Sequence, residues 1–244
     1  MACKHSPASA CTISDTSGKT HGAARLAALF TVHAAYPWST HFLLLMPLTV
    51  VVLLSGAAHG FWGEGPRLWY EGLRQTHHLE TLFFKAISDY AAIALYGLYA
   101  AIFARSLRDN DTDGTTFVVR FACAAILFSL LLTQCLKMGL GMPRPGEPLP
   151  PMPFSFKHAY SSFPSGHTVA IIAAALPLAI RVKKVRWQIV LVVLITALGY
   201  SRLWLGAHHP VDILGGVVVG SIAARYVYLP PRPVSPENLE RAVT

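Results

Sequence analysis

The sequence predicts an all-α polytopic membrane protein, a bundle of six transmembrane helices with both termini in the cytoplasm. Three observations carry this reading. Of the 244 residues, 53% are hydrophobic and only 13% are charged, about half the charged share of an ordinary soluble domain. Six apolar stretches, roughly 41–60, 86–104, 117–136, 167–182, 187–201 and 210–229, reach or approach the length of about 20 residues that a helix needs to cross a hydrocarbon core. The Lys and Arg residues are also unevenly shared between the two sides that six crossings create.

In chain order, residues 1–22 are rich in Ser, Thr and Ala and lack the apolar run of a signal peptide, so they read as a disordered tail. LAALFTVHAAY (26–36) is apolar but short and reads as an interfacial helix leading to the first span. The first span then acts as an uncleaved insertion signal. The fourth and fifth stretches are short for full crossings. RVKKVR (181–186) joins them, which makes a helical hairpin the natural reading. The expected organisation is a cytoplasmic tail over 1–38, a six-span domain over 39–229 and a second cytoplasmic tail over 230–244.

Orientation follows from counting cations. With the N-terminus inside, the inner side holds Lys4, Lys19, Arg25, Arg105, Arg108, Arg120, Arg181, Lys183, Lys184, Arg186, Arg225, Arg232 and Arg241, 13 of the 20 Lys and Arg residues. Cytoplasmic loops collect Lys and Arg, so both termini are placed inside. Of the seven on the outer side (Arg67, Arg74, Lys85, Lys137, Arg144, Lys157 and Arg202), Lys137, Arg144 and Arg202 stand directly beside span ends.

The net charge of +8 forms no basic run with interleaved aromatics, so nucleic acid is not an expected partner. Cys3, Cys11, Cys123 and Cys135 include no CxxC pair and read as free thiols. The adjacent pairs His77-His78 and His208-His209 do not have metal-ligand spacing. Neither a metal nor any other cofactor is expected.

Three polar clusters interrupt the apolar pattern: KMGLGMPRP (137–145), FPSGHT (163–168) and SRLWLGAHHPVD (201–212). Six alternating spans bring all three to the outer face. Lys137, Arg144 and Arg202 supply permanent cations, and the guanidinium fork matches phosphate oxygens. Pro164-Ser165-Gly166 precedes a helix, whose first N–H groups attract an anion. His167 and one of the pair His208/His209, with Asp212 nearby, supply a nucleophile or base and an acid. In-line phosphoryl transfer needs these parts. Helical spacing does not choose between His208 and His209, because residues three and four apart both face Asp212.

Lys137 with Arg144-Pro145, then Pro164-Ser165-Gly166-His167, then Ser201-Arg202 with His208 and Asp212 resemble the three-part signature of the type-2 phosphatidic acid phosphatase superfamily. The six-span layout is similar to its membrane-embedded lipid phosphatase branch. Soluble vanadium-dependent haloperoxidases share the cradle, and a six-span chain argues against that activity. The resemblance implies that His208 is the nucleophile and forms a phosphohistidine, that Asp212 orients it, and that His167 protonates the leaving group. Lys137, Arg144, Ser165, Gly166 and Arg202 would hold the phosphate. By this spacing His208 is selected and His209 is a polar neighbour.

The implied enzyme is a metal-independent phosphatase of lipid phosphates or diphosphates, such as undecaprenyl diphosphate, phosphatidylglycerophosphate, phosphatidate or lipid A. The expected partners are the substrate and membrane lipids. In a bacterial cell it would sit in the inner membrane with its site facing the periplasm. A phosphotransferase using the same phosphohistidine, and a non-enzymatic transporter or scaffold, are the alternatives. Asp89 is expected to pair with a cation of the site, and Gly216 and Gly220 to mark close helix packing. The aromatic outer segments 61–84 and 147–163 read equally as an interfacial belt or as a lid over the lipid chains.

Overall fold

Why a chain this apolar folds into a specific bundle is seen in where its few polar groups lie. The computed structural model describes residues 36–148 and 150–228, all within one unit, Val32–Thr244. The expectations for the tails and for the interfacial helix at 26–36 fall on residues outside this range, apart from Tyr36. The described residues contain helices and connecting loops, with no strand among them. In order they are α1 (Trp38–His59), α2 (Glu64–Thr76), α3 (His78–Arg108), α4 (Thr112–Ala124), a π-helical segment (Ala125–Leu132), α5 (Thr133–Leu140), a 3₁₀ turn (His158–Tyr160), α6 (Gly166–Arg181), α7 (Val185–Trp204) and α8 (Pro210–Val227).

Five helices are long and apolar enough to cross a membrane: α1, α3, the continuous run Thr112–Leu140, α7 and α8. The sixth, α6, has 16 residues and is about 24 Å long at 1.5 Å per residue, short of a core of about 30 Å. Its burial accounts for this. Val169, Ile171, Ile172, Ala174, Ala175 and Leu176 are all fully buried, because α6 is the central helix, packed against α7 and α8. Its apolar side chains meet other helices, so contact with hydrocarbon does not dictate its length. The short link between Arg181 and Val185 makes α6 and α7 the expected hairpin.

Lipid-facing positions show the complementary pattern. Phe42, Leu43, Met46 and Leu54 of α1 and Ile126 and Leu130 of the π-helical segment are exposed, as apolar side chains are where the surrounding solvent is hydrocarbon. Small residues set the closest helix approach. A Cβ at Gly216 would lie 2.8 Å from Thr168 Cβ, and one at Gly220 would lie 2.8 Å from Ile172 Cβ. The expected close packing is therefore between α8 and α6.

Two elements differ from the sequence reading. The segment 61–84 contains the 13-residue helix α2. Its buried positions Pro66 and Tyr70, with Leu73 against the core, fall at one helical face. Arg67 pairs with Glu64 at 2.6 Å and Glu71 at 3.0 Å along it. Short amphipathic helices of this kind lack the long apolar run that marks a span. The helix α3 starts at His78, and both His77 and His78 are exposed.

The third span is the other departure, because its middle is π-helical. Thr133 Oγ1 donates to Phe128 O, five residues back, at 2.8 Å, the same carbonyl that the Thr133 backbone N–H reaches across the wide turn. A π turn contains an extra residue, so it rephases α5, and with it Lys137, relative to α4.

Candidate active site

The first cluster begins on α5. Its last turn carries Lys137, and the helix stops at Gly141, which is left-handed with φ +56°. A Cβ there would lie 1.8 Å from Met152 O, so only glycine lets the 150s loop fold back onto the helix end. Met152 N–H donates to Gly141 O at 2.9 Å and Phe154 N–H to Met138 O at 2.6 Å. That returning loop fixes Arg144. Its N–H donates to Ala159 O at 2.8 Å, its Nε to His158 O at 3.0 Å and its Nη1 to Ala207 O at 3.4 Å. The last bond ties the first cluster to the third.

In the second cluster, Ser165 is the N-cap of α6, with extended backbone and no side-chain capping bond to a backbone N–H of that helix. Its Oγ instead accepts from Thr168 Oγ1 at 3.0 Å, leaving the seryl proton to donate elsewhere. A Cβ at Gly166 would lie 4.0 Å from Lys137 Nζ. The ammonium therefore stands beside the uncapped first turn of α6, where N–H groups and the helix dipole already favour an anion. His167 is exposed within this turn.

The third cluster closes the site. Arg202 Nη1 donates to Ser88 Oγ of α3, while its buried Nε has no partner. Arg202 O accepts Ala207 N–H at 3.0 Å and His208 N–H at 3.2 Å, which curls the loop back over the end of α7. Asp212 is fully buried. Its Oδ2 accepts Ser162 Oγ at 2.5 Å and His209 N–H at 2.8 Å, and lies 3.5 Å from His208 Nδ1. Asp212 O accepts Ser165 N–H at 3.0 Å, joining the third cluster to the second.

Electrostatics bind the set together. The charges of Arg144, Arg202 and Lys137 act on one another and on His167, and those of Arg144, Arg202 and Asp212 act on His208. Burial pushes the His208 imidazole down to about 4, partly opposed by Asp212, so it is neutral at physiological pH. Burial also lowers Arg144. Among the described residues no carboxylate lies within 4.0 Å of Lys137, Arg144 or Arg202. Three close, partly desolvated cations without an ion-pair partner make a strong anion trap. No group of three or more His, Cys, Asp or Glu side chains among the described residues is placed to hold a metal ion.

The structure thus brings together Lys137, Arg144, Ser165, Gly166, His167, Arg202, His208 and Asp212. It places His209 differently from His208. The His209 ring stacks on Trp62 with centroids 4.2 Å apart, and burial lowers its pKa. Asp89 makes no ion pair within 4.0 Å. It is exposed and acts on Arg202 and His167 only over a longer range. Ser88, its neighbour, makes the direct bond. Sequence reasoning missed Ser88, Ser162 and Thr133, and read Trp62 only as part of the aromatic segment 61–84. A serine in a Pro-rich loop and a threonine in a span carry no distinguishing pattern, and an aromatic before a short helix reads as belt.

Residues 118–232 match the PAP2 superfamily, a stretch that contains all eight converging residues. The chain is 44% identical over 64 residues to "Undecaprenyl-diphosphatase BcrC" of Bacillus subtilis (strain 168), covering 26% of this chain and 32% of that one. It is 35% identical over 68 residues to "Bacitracin transport permease protein BcrC" of Bacillus licheniformis, covering 28% and 32%. It is 32% identical over 101 residues to "Lipid A 1-phosphatase" of Rhizobium johnstonii, covering 39% and 41%. The matches thus span about a third to two-fifths of these relatives. No solved structure matches the chain.

Proposed function

We propose that this protein is a member of the PAP2 superfamily and an integral membrane lipid phosphatase that removes a phosphate from a lipid phosphate or diphosphate. The observation that carries the reading is the cluster of three unpaired cations around an uncapped helix N-terminus, beside a neutral, carboxylate-oriented histidine. Two relatives carry phosphatase names that include undecaprenyl diphosphate and lipid A, which supports lipid phosphates of this class.

The chemistry proceeds in two displacements. Lys137, Arg144, Arg202, the Ser165 hydroxyl and the first N–H groups of α6 hold the phosphoryl oxygens. His208 Nδ1 faces Asp212, which fixes the tautomer with Nε2 unprotonated, and Nε2 attacks phosphorus. The bond from phosphorus to the lipid oxygen breaks as His167 gives that oxygen a proton. Water, losing a proton to His167, then attacks the phosphohistidine, and the P–N bond breaks to free inorganic phosphate. Cationic side chains take the charge-neutralising part that a metal plays elsewhere, so no metal is needed.

The reading further places a six-span domain at 39–229 between cytoplasmic tails, and the site at the outer leaflet, facing the periplasm in a bacterial inner membrane. The deciding experiment measures inorganic phosphate released from purified lipid phosphates and diphosphates in detergent. Wild-type protein is expected to turn over at least one of them, with a chelator present. His208→Ala should lower kcat by at least about 10³-fold, the order seen when a nucleophile is removed. Substantial turnover by folded His208→Ala protein would overturn the nucleophile assignment. Phosphate transfer to an acceptor lipid in place of water would identify a phosphotransferase.

A further inference from the structure

The helix α2 contributes nothing to the three motifs, yet it touches the loops of two of them. Its Arg74 Nη1 donates to Trp204 O at 2.5 Å, one of the carbonyls that the end of α7 leaves without a helical partner. The same guanidinium lies against Gly206, where a Cβ would sit 3.1 Å from Nη1. Gly206 is left-handed, with φ +65°, and is the turn from which Ala207 and His208 curl back to Arg202 O. At the other end of α2, the Arg67 side chain packs on Gly146, where a Cβ would lie 3.3 Å from Arg67 Cδ. Gly146 stands two residues after Arg144.

The residues leading into α2 make the second grip. Trp62 stacks on His209 at 4.2 Å, and Phe61 O accepts Val211 N–H at 3.4 Å. Tyr70, in the middle of the helix, is buried and its hydroxyl bonds Ser55 Oγ of α1 at 2.8 Å. The helix is therefore pinned to the bundle at its centre and holds the 204–211 loop at both ends.

We infer that α2 and its leading residues form a strap that sets the position of His208, with Arg74 and Trp62 as positioning residues. Neither bonds to a residue of the phosphate cradle; Arg74 acts on the backbone four residues before His208, and Trp62 on the ring of its neighbour His209. A histidine that must attack in line loses about 10²-fold in rate for a displacement near 1 Å. The strap therefore acts on the chemical step, and substrate capture is left to the three cations.

This inference rests on the phosphatase reading for its kinetics, and amide exchange tests it independently. In detergent micelles, Arg74→Met is expected to lower kcat about 10- to 100-fold while KM stays within about threefold. Arg74→Lys, which still donates to Trp204 O, should recover most of the rate. Trp62→Ala should give a smaller fall of the same kind, and Trp62→Phe, which keeps the stacking, should not. Amide hydrogen exchange across 204–209 should rise in Arg74→Met, with α6 and α8 unchanged. An active protein whose Arg74→Met and Trp62→Ala variants keep kcat within about twofold, or lose KM and kcat together without recovery in Arg74→Lys, overturns the strap. If wild-type protein releases no phosphate from any lipid, the phosphatase reading falls, and unaltered exchange at 204–209 would then overturn the strap separately.

Discussion

A single carboxylate, Asp212, shows how much of the site depends on residues outside the motifs. Its Oδ2 meets the Ser162 hydroxyl, the His209 N–H and the His208 ring, from three different stretches of chain. Hydrogen bonds to an ionised group contribute about 1.5–3 kcal/mol, so Ser162→Ala should slow turnover about tenfold or more by loosening Asp212. Ser162→Thr, which keeps a hydroxyl, should be milder; steady-state rates of the two variants check this. The pH dependence follows from His208. Its pKa is lowered to about 4 by burial, from an ordinary value near 6.5. In the proposed mechanism the neutral form is the nucleophile, so kcat/KM should hold down through pH 6 and fall only as pH approaches about 4. An acid limb centred near 6.5 would contradict that burial. The unfolded chain binds a proton at this histidine between about 6.5 and 4 while the folded one does not, so His208 also makes stability decline across that window as pH falls.

Among the elements, α6 and α8 have the greatest leverage, because their N-termini carry Ser165, Gly166 and His167 on one side and Asp212 on the other. Gly216 and Gly220 let them touch. Gly216→Val places atoms against Thr168 and the Ser165 carbonyl and should destabilise the bundle by about 1–3 kcal/mol, as overpacking does. Thermal denaturation in detergent, alongside phosphate release, measures it, and activity should fall further than stability alone explains. The long apolar runs were readable because they have few other structures in lipid, and the glycine spacing marked α8 for close packing without naming α6 as its partner. The helix α2 was not readable. Its 13 residues bury only Pro66 and Tyr70, a face too narrow to stand out beside aromatics that fit an interfacial belt. The π-helical segment was equally hidden, since its sequence AILFSLLL is uniformly apolar and a change of helical phase leaves no mark in such a run.

For the whole molecule, the distribution of cations predicts sidedness. Single cysteines placed at Lys183 and Lys157 in a chain with its four native cysteines replaced should react oppositely with a membrane-impermeant thiol reagent in intact cells. Position 157 is expected to label and 183 to be protected; the reverse pattern would turn the bundle over and put the site on the inner leaflet. The eight converging residues were legible from three short motifs because phosphate chemistry demands particular side chains at fixed spacing. What supports them was not, because packing and backbone contacts make no such demand. Arg144 illustrates the difference. It is held by the carbonyls of His158 and Ala207 and by the Ala159 carbonyl at its own N–H, and every amino acid carries a carbonyl. The side chains at 158, 159 and 207 are thus released from any duty toward the arginine. Under the proposed function, the loops bordering the phosphate can change their chemistry, and so the lipid headgroup they admit, without Arg144 losing its place.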